Sequence, residues 1–122
     1  MTGLSTHVLD TANGRPAAGV KIEVLALEAG QAPRLLSTTV TNSDGRTDAA
    51  LTAPADMKAG IYELVFHIGD YFSGDDSSAT GQGGSPSYLT TVPIRIGIAE
   101  ASAHYHVALL VSPWSYTTYR GS

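Results

Sequence analysis

The sequence contains no cysteine. Disulfide scaffolds, thiolate zinc sites and thiol nucleophiles are therefore excluded. Lysine occurs only at Lys21 and Lys58, and 7 basic groups face 11 acidic ones, a formal charge of −4. No basic run exists to displace the counterions of a nucleic acid or to hold an anionic membrane surface, so neither partner is expected. Charged residues make up only 15%, below the roughly 25% of an average globular protein. Hydrophobic residues still reach 43%, so the low charge does not signal disorder. It suggests instead that part of the surface is covered by other subunits. The longest nearly apolar run, Val107-Ala108-Leu109-Leu110-Val111, is far short of the ~20 residues of a membrane helix. The opening MTGLSTHVLD lacks the basic and apolar regions of a secretory signal, and the last residues are not a peroxisomal signal. A soluble, cytoplasmic protein is the expectation.

What is present reads as strands. A length of 122 residues suits one domain spanning 1–122. Val20-Lys21-Ile22-Glu23-Val24-Leu25-Ala26-Leu27 alternates at period two, as a strand with one wet face does. Similar patterns predict strands over 4–10, 35–40, 61–68, 91–98, 105–112 and 114–119. Asn13-Gly14 before Arg15-Pro16 predicts a turn, with Pro16 blocking further pairing. Asn42-Ser43-Asp44-Gly45 predicts another. A short helix is expected over 69–72, running into a loop of small and polar residues over 73–87. No segment carries ten residues of helical period. The expected fold is all-β: a two-sheet, mostly antiparallel β-sandwich with one short helix.

Three of the four histidines, His7, His104 and His106, lie in or beside the strands expected over 4–10 and 105–112. His7 shares a face with Ser5 and Leu9 because side chains alternate. His104 and His106 share a face with Ala108 and Leu110, while Tyr105, Val107, Leu109 and Val111 face the other way, toward the core. The histidine face therefore looks at water or at another subunit. The spacing of His104 and His106 also suits a metal, an acid–base pair or two ordinary strand histidines. No adjacent carboxylate orients the rings. Arg46, just after a turn, is either a solvated loop residue or a fork of donors for an anionic or carbonyl-rich ligand. Asp70 is either a helix cap or a catalytic carboxylate. The end, Tyr119-Arg120-Gly121-Ser122, follows a strand pattern with no polar tail. It is a frayed terminus or part of a site.

Taken together, Leu4-Ser5-Thr6-His7-Val8-Leu9-Asp10, Gly14-Arg15-Pro16-Ala17, Gly69-Asp70-Tyr71-Phe72, His104-Tyr105-His106-Val107 with Ser112-Pro113, and the closing Tyr119-Arg120-Gly121-Ser122 resemble the transthyretin-like family over the whole chain apart from 73–87. The terminal tetrapeptide is similar to that of its hydrolase branch and is lacking in its vertebrate hormone carriers. The resemblance implies a prealbumin-like sandwich, paired edge to edge into dimers and face to face into a homotetramer. It implies a channel between dimers that takes a small-molecule substrate. The implied activity is hydrolysis of the cyclic amide of 5-hydroxyisourate, without cofactor or metal. The implied catalytic residues are His7, Arg46, His106 and Ser122. Tyr119, Arg120 and Gly121 join His7 and Arg46 in substrate binding, and His104 has a supporting role. The Ser122 carboxylate is expected to favour the imidazolium form of His106. Ala108, Trp114 and the segment Ser87-Tyr88-Leu89 depart from the usual family residues; Ala108 and Trp114 are expected to alter channel width. The rival readings are a carrier of aromatic ligands in the same channel and a purely structural sandwich. A carrier wants apolar walls, and a structural domain gives His7 and Arg46 no reason to converge.

Overall fold

The structure is a computed structural model, and it describes residues 3–73 and 87–121. Eight strands form two four-stranded sheets. They are β1 (Gly3–Asp10), β2 (Arg15–Pro16), β3 (Lys21–Leu27), β4 (Arg34–Val40), β5 (Gly60–Phe66), β6 (Val92–Ile98), β7 (His104–Val111) and β8 (Tyr116–Gly121). One sheet has the order β2-β1-β7-β8 and the other β4-β3-β5-β6. A 3-10 turn, Pro54–Asp56, and one helix, α1 (Ile68–Ser73), complete the described elements.

Period-two alternation decides which faces meet. β1 buries Leu4, Thr6, Val8 and Asp10, and β7 buries Tyr105, Val107, Leu109 and Val111. Opposite them stand Ile22 and Val24 of β3, Leu64 and Phe66 of β5, and Val92, Ile94 and Ile98 of β6. Leu4, Phe66 and Leu109 are almost completely enclosed, and each such side chain contributes roughly 1.5–3 kcal/mol by leaving water. β8 buries nothing. The sandwich therefore gapes between its edge strands β6 and β8, where a cavity of about 330 Å³ is lined by Ile94, Ile96, Tyr105 and Val107.

Several sequence-based boundaries shift, each for a physical reason. Ile68 does not extend β5 but opens α1, where it is fully buried. That places Asp70 inside the first helical turn, so it is not the cap; its charge still suits the positive end of the helix. Pro16 does not stop pairing. It lies beside Leu9 in β2, on the sheet edge, where a missing N–H costs nothing. The last strand starts at Tyr116 and not at Trp114, because the Ser112 hydroxyl takes the N–H groups of Trp114 and Ser115 and folds a turn there. Trp114 is left 71% exposed. Most of the predicted 73–87 loop lies outside the described residues.

One pairing is parallel: β1 and β7 run side by side from Gly3↔His104 to Asp10↔Val111. No hairpin links them, since the whole second sheet lies between them in sequence, so nothing local forces an antiparallel arrangement. This contact puts the three strand histidines on one surface.

Candidate active site

The first sheet carries a grid on its outer face. Residues paired across a sheet point to the same side. One row runs Ser5–His106–Gly121 and the next His7–Ala108–Tyr119, across β1, β7 and β8. His104 lies beyond, opposite Gly3. Ser5, His7, His104 and His106 are each partly exposed, and Tyr119 is 56% exposed. His67, the fourth histidine, lies just past the end of β5 in the other sheet, and its Nε2 lies 2.6 Å from Glu23 Oε1.

The 42–45 turn brings Arg46 to this face. Asn42 Oδ1 accepts the N–H groups of Asp44 and Arg46, closing the turn. The Val8 N–H donates to the Gly45 carbonyl at 2.8 Å and the Leu51 N–H to the Leu4 carbonyl at 3.2 Å, so the segment runs along β1. Gly45 is required twice. Its φ of +76° lies in the left-handed region, and a Cβ there would collide with the Val8 carbonyl oxygen. Arg46 itself is exposed, and its charge reaches His106.

Hydrogen bonds assign the ring nitrogens. His7 Nε2 lies 2.8 Å from the Asp44 carbonyl, an obligate acceptor, so Nε2 carries the proton. Neutral His7 therefore keeps a free lone pair on Nδ1. The Ser5 hydroxyl lies 2.9 Å from His104 Nε2 and 2.8 Å from His106 Nδ1. His104 Nδ1 is buried and has no partner among the described residues. Burial lowers the pKa of His106 below the usual 6.5, and the charge of Arg46 lowers it further, as does that of His7 or His104 whenever either is protonated. Among the described residues, then, the balance is opposite to the expected preference for imidazolium. Ser122, whose carboxylate carried that expectation, lies outside them.

The end of the chain divides between two faces. Gly121 packs under the His106 ring so closely that a Cβ would collide with the imidazole. Tyr119 sits on the same face, two strands from His7. Arg120 does not. Alternation turns it to the opposite side, where its guanidinium carbon lies 4.2 Å from the centre of the Tyr105 ring and Nη2 donates to the His104 carbonyl at 3.3 Å. The structure thus gathers His7, Arg46, His104, His106, Tyr119 and Gly121, and it places the Arg120 side chain elsewhere. Through Tyr105 and His104 that side chain braces β8 against β7. The strand is paired to its end, opposite His106, and is not frayed.

Sequence reasoning gave Ser5 no role beyond sharing a face with His7. Its position two residues before His7 was the available signal. The histidine partners that give it meaning appear only once β1 lies parallel to β7.

A polar face of this shape on a two-sheet sandwich can be compared with known proteins. The model of the HIUase/Transthyretin family matches residues 4–121. The chain belongs to the HIUase/Transthyretin family. It is similar to "5-hydroxyisourate hydrolase 2" of Rhizobium meliloti, with 56% identity over 98% of this chain and 95% of that protein. A solved 5-hydroxyisourate hydrolase from Klebsiella pneumoniae superimposes with a TM-score of 0.75 at 35% identity, covering 100% of both chains. A crystal structure of (S)-allantoin synthase gives a TM-score of 0.83 at 41% identity, covering 99% of this chain but 44% of that one. The family shown is the one that the sequence motifs indicate.

Proposed function

We propose that this protein hydrolyses 5-hydroxyisourate, with His7, Arg46 and His106 as the working groups. One observation carries the reading: in a member of this family, two histidines share one sheet face with an arginine close enough for its charge to reach one of them. His7 offers a lone pair, and His106, held as the Nε2–H tautomer argued below, offers a hydrogen bond. The reaction needs a base for water, positive charge for the developing oxyanion, and a proton for the leaving nitrogen. His7 Nδ1 takes a proton as the water oxygen bonds to the ring carbonyl carbon. Arg46 faces the charge gathering on the carbonyl oxygen, and His106 Nε2–H donates a hydrogen bond to the substrate and keeps its proton. The tetrahedral carbon then expels the ring nitrogen. The C–N bond breaks, the nitrogen takes the proton held by His7, and a carboxyl group remains on the opened ring. The product is 2-oxo-4-hydroxy-4-carboxy-5-ureidoimidazoline. Tyr119 walls the pocket, and Gly121 admits the His106 ring. Ser122, which the family resemblance adds to the catalytic groups, lies outside the described residues.

The working unit is a homotetramer in the cytoplasm, and 1–122 acts as one domain. The apolar gap between β6 and β8 supports an edge-to-edge partner. Exposed Tyr119, which pairs with Ala108 on the histidine face, supports a second partner across that face. A carrier of apolar ligands fits less well, because the face is lined by histidines, an arginine and a serine. The reading is tested by comparing His7→Asn, Arg46→Gln and His106→Asn with the parent protein on freshly made 5-hydroxyisourate. Each should lose about 10²-fold or more in turnover, the scale of one acid–base contribution. Undiminished turnover in all three would place the chemistry elsewhere.

A further inference from the structure

We propose that Ser5 is a positioning residue, whose hydroxyl links His104 to His106 and holds His106 as the Nε2–H tautomer. The inference deepens the proposed function and rests on His106 meeting the substrate. It follows from counting protons. Ser5 has one hydroxyl proton and two imidazole neighbours, His104 Nε2 at 2.9 Å and His106 Nδ1 at 2.8 Å. Accepting from both rings would leave its own proton without an acceptor among the described residues, so it donates to one ring and accepts from the other.

The buried, unpartnered His104 Nδ1 decides the direction. Suppose Ser5 donated to His104 Nε2. The proton of neutral His104 would then sit on Nδ1, leaving an N–H buried without an acceptor. A charged His104 would leave the same orphan. Buried N–H groups without partners are rare and cost more than an idle lone pair. The remaining arrangement has His104 donating from Nε2 to Ser5, and Ser5 donating to His106 Nδ1. His106 then carries its proton on Nε2. A Cβ at Gly121 would meet the ring first at Cδ2, then at Cγ and Nε2, so the edge of the ring that carries Nε2 lies beside the chain end. Free imidazole exchanges its tautomers, whereas the serine bridge removes the choice. His104 thereby acts without touching the substrate: it turns the Ser5 hydroxyl.

The test uses full-length protein labelled with nitrogen-15 in histidine, together with Ser5→Ala and Ser5→Thr. Nitrogen shifts of the parent should show His106 bare at Nδ1 and protonated at Nε2. Ser5→Ala should mix the tautomers and lower kcat about ten-fold, the scale of one well-made hydrogen bond, with KM within a few-fold. Ser5→Thr keeps the hydroxyl and should restore both shifts and kcat. Should Ser5→Ala not fold, His104→Phe removes the donor that orients Ser5 and should also mix the tautomers and lower kcat several-fold. A parent spectrum with the His106 proton on Nδ1, or Ser5→Ala with unchanged shifts and kcat, would overturn the proposal. If the parent fails to hydrolyse 5-hydroxyisourate, the functional reading falls. The nitrogen shifts still decide whether Ser5 sets the tautomer.

Discussion

Replacing Gly121 by alanine separates catalysis from stability more cleanly than any change to a polar group. Gly121 lies opposite His106 in the β7–β8 register. Its φ is not in the positive range, so alanine adopts the backbone without strain. In the folded chain the new methyl would overlap the His106 ring. To regain van der Waals contact, ring and methyl must part by on the order of 1 Å, and a misplacement of that size at a working group costs about 10²-fold in rate. Stability should respond differently. Glycine inside a strand is less favourable than alanine by roughly 0.5–1 kcal/mol. β8 is an exposed edge that can yield, so the clash is relieved by small shifts. Turnover of 5-hydroxyisourate should therefore fall about 10²-fold while the melting temperature changes by only a few degrees. Stopped-flow ultraviolet decay and thermal melts of both proteins are the assays. Full turnover in Gly121→Ala would show that His106 need not lie where it is seen. A parallel collapse of turnover and melting temperature would show that Gly121 serves the fold and not the site.

Other outcomes follow from the same geometry. His106 titrates below the usual 6.5 in the folded chain because of burial and its cationic neighbours. As pH falls below that value the unfolded chain takes up the proton first, so native stability declines until the folded pKa is passed; His106→Asn should show a shallower decline in melting temperature. Arg46→Gln removes one of those cations, so the His106 pKa, read by NMR, should rise toward 6.5. Asp10 is buried. Burial pushes its pKa up, but hydrogen bonds from the Asn13 side chain, Tyr71 and the backbone of Asn13 and Ala12 outweigh it and leave the pKa below 3.8. Its contribution is present above that value and lost as pH falls through the folded pKa. Asp10→Ala should cost about 1.5–3 kcal/mol, the scale of hydrogen bonds to a charged group, in urea unfolding at neutral pH. Dialysis against a strong chelator should leave turnover intact, since Arg46 already supplies the positive charge that the developing oxyanion needs.

Alternation made much of this legible in advance. It separated Ser5, His7, His104 and His106 from Leu4, Val8, Tyr105 and Val107, because a strand repeats every two residues whatever it pairs with. The same period also placed Tyr119 and Gly121 on one face and Arg120 on the other. Grouping Arg120 with its neighbours followed the motif and overlooked the period. The Ser5 bridge was not legible. It depends on the parallel pairing of β1 with β7, a contact that no local pattern encodes. The start of β8 was obscured because Trp114 has strand propensity, whereas two serine side chains impose a turn. Arg46 could be suspected from the turn before it. Its approach to His106 required knowing that Gly45 and Leu51 bond to β1.

The central claim is that this face opens 5-hydroxyisourate. The measurement that tests it most directly is the decay of that compound, generated from urate by urate oxidase, followed by ultraviolet absorbance with and without the protein. The first-order decay constant should rise in proportion to protein concentration, with accelerated formation of the ring-opened carboxylate product. A decay constant equal to that of buffer at every protein concentration would contradict the account.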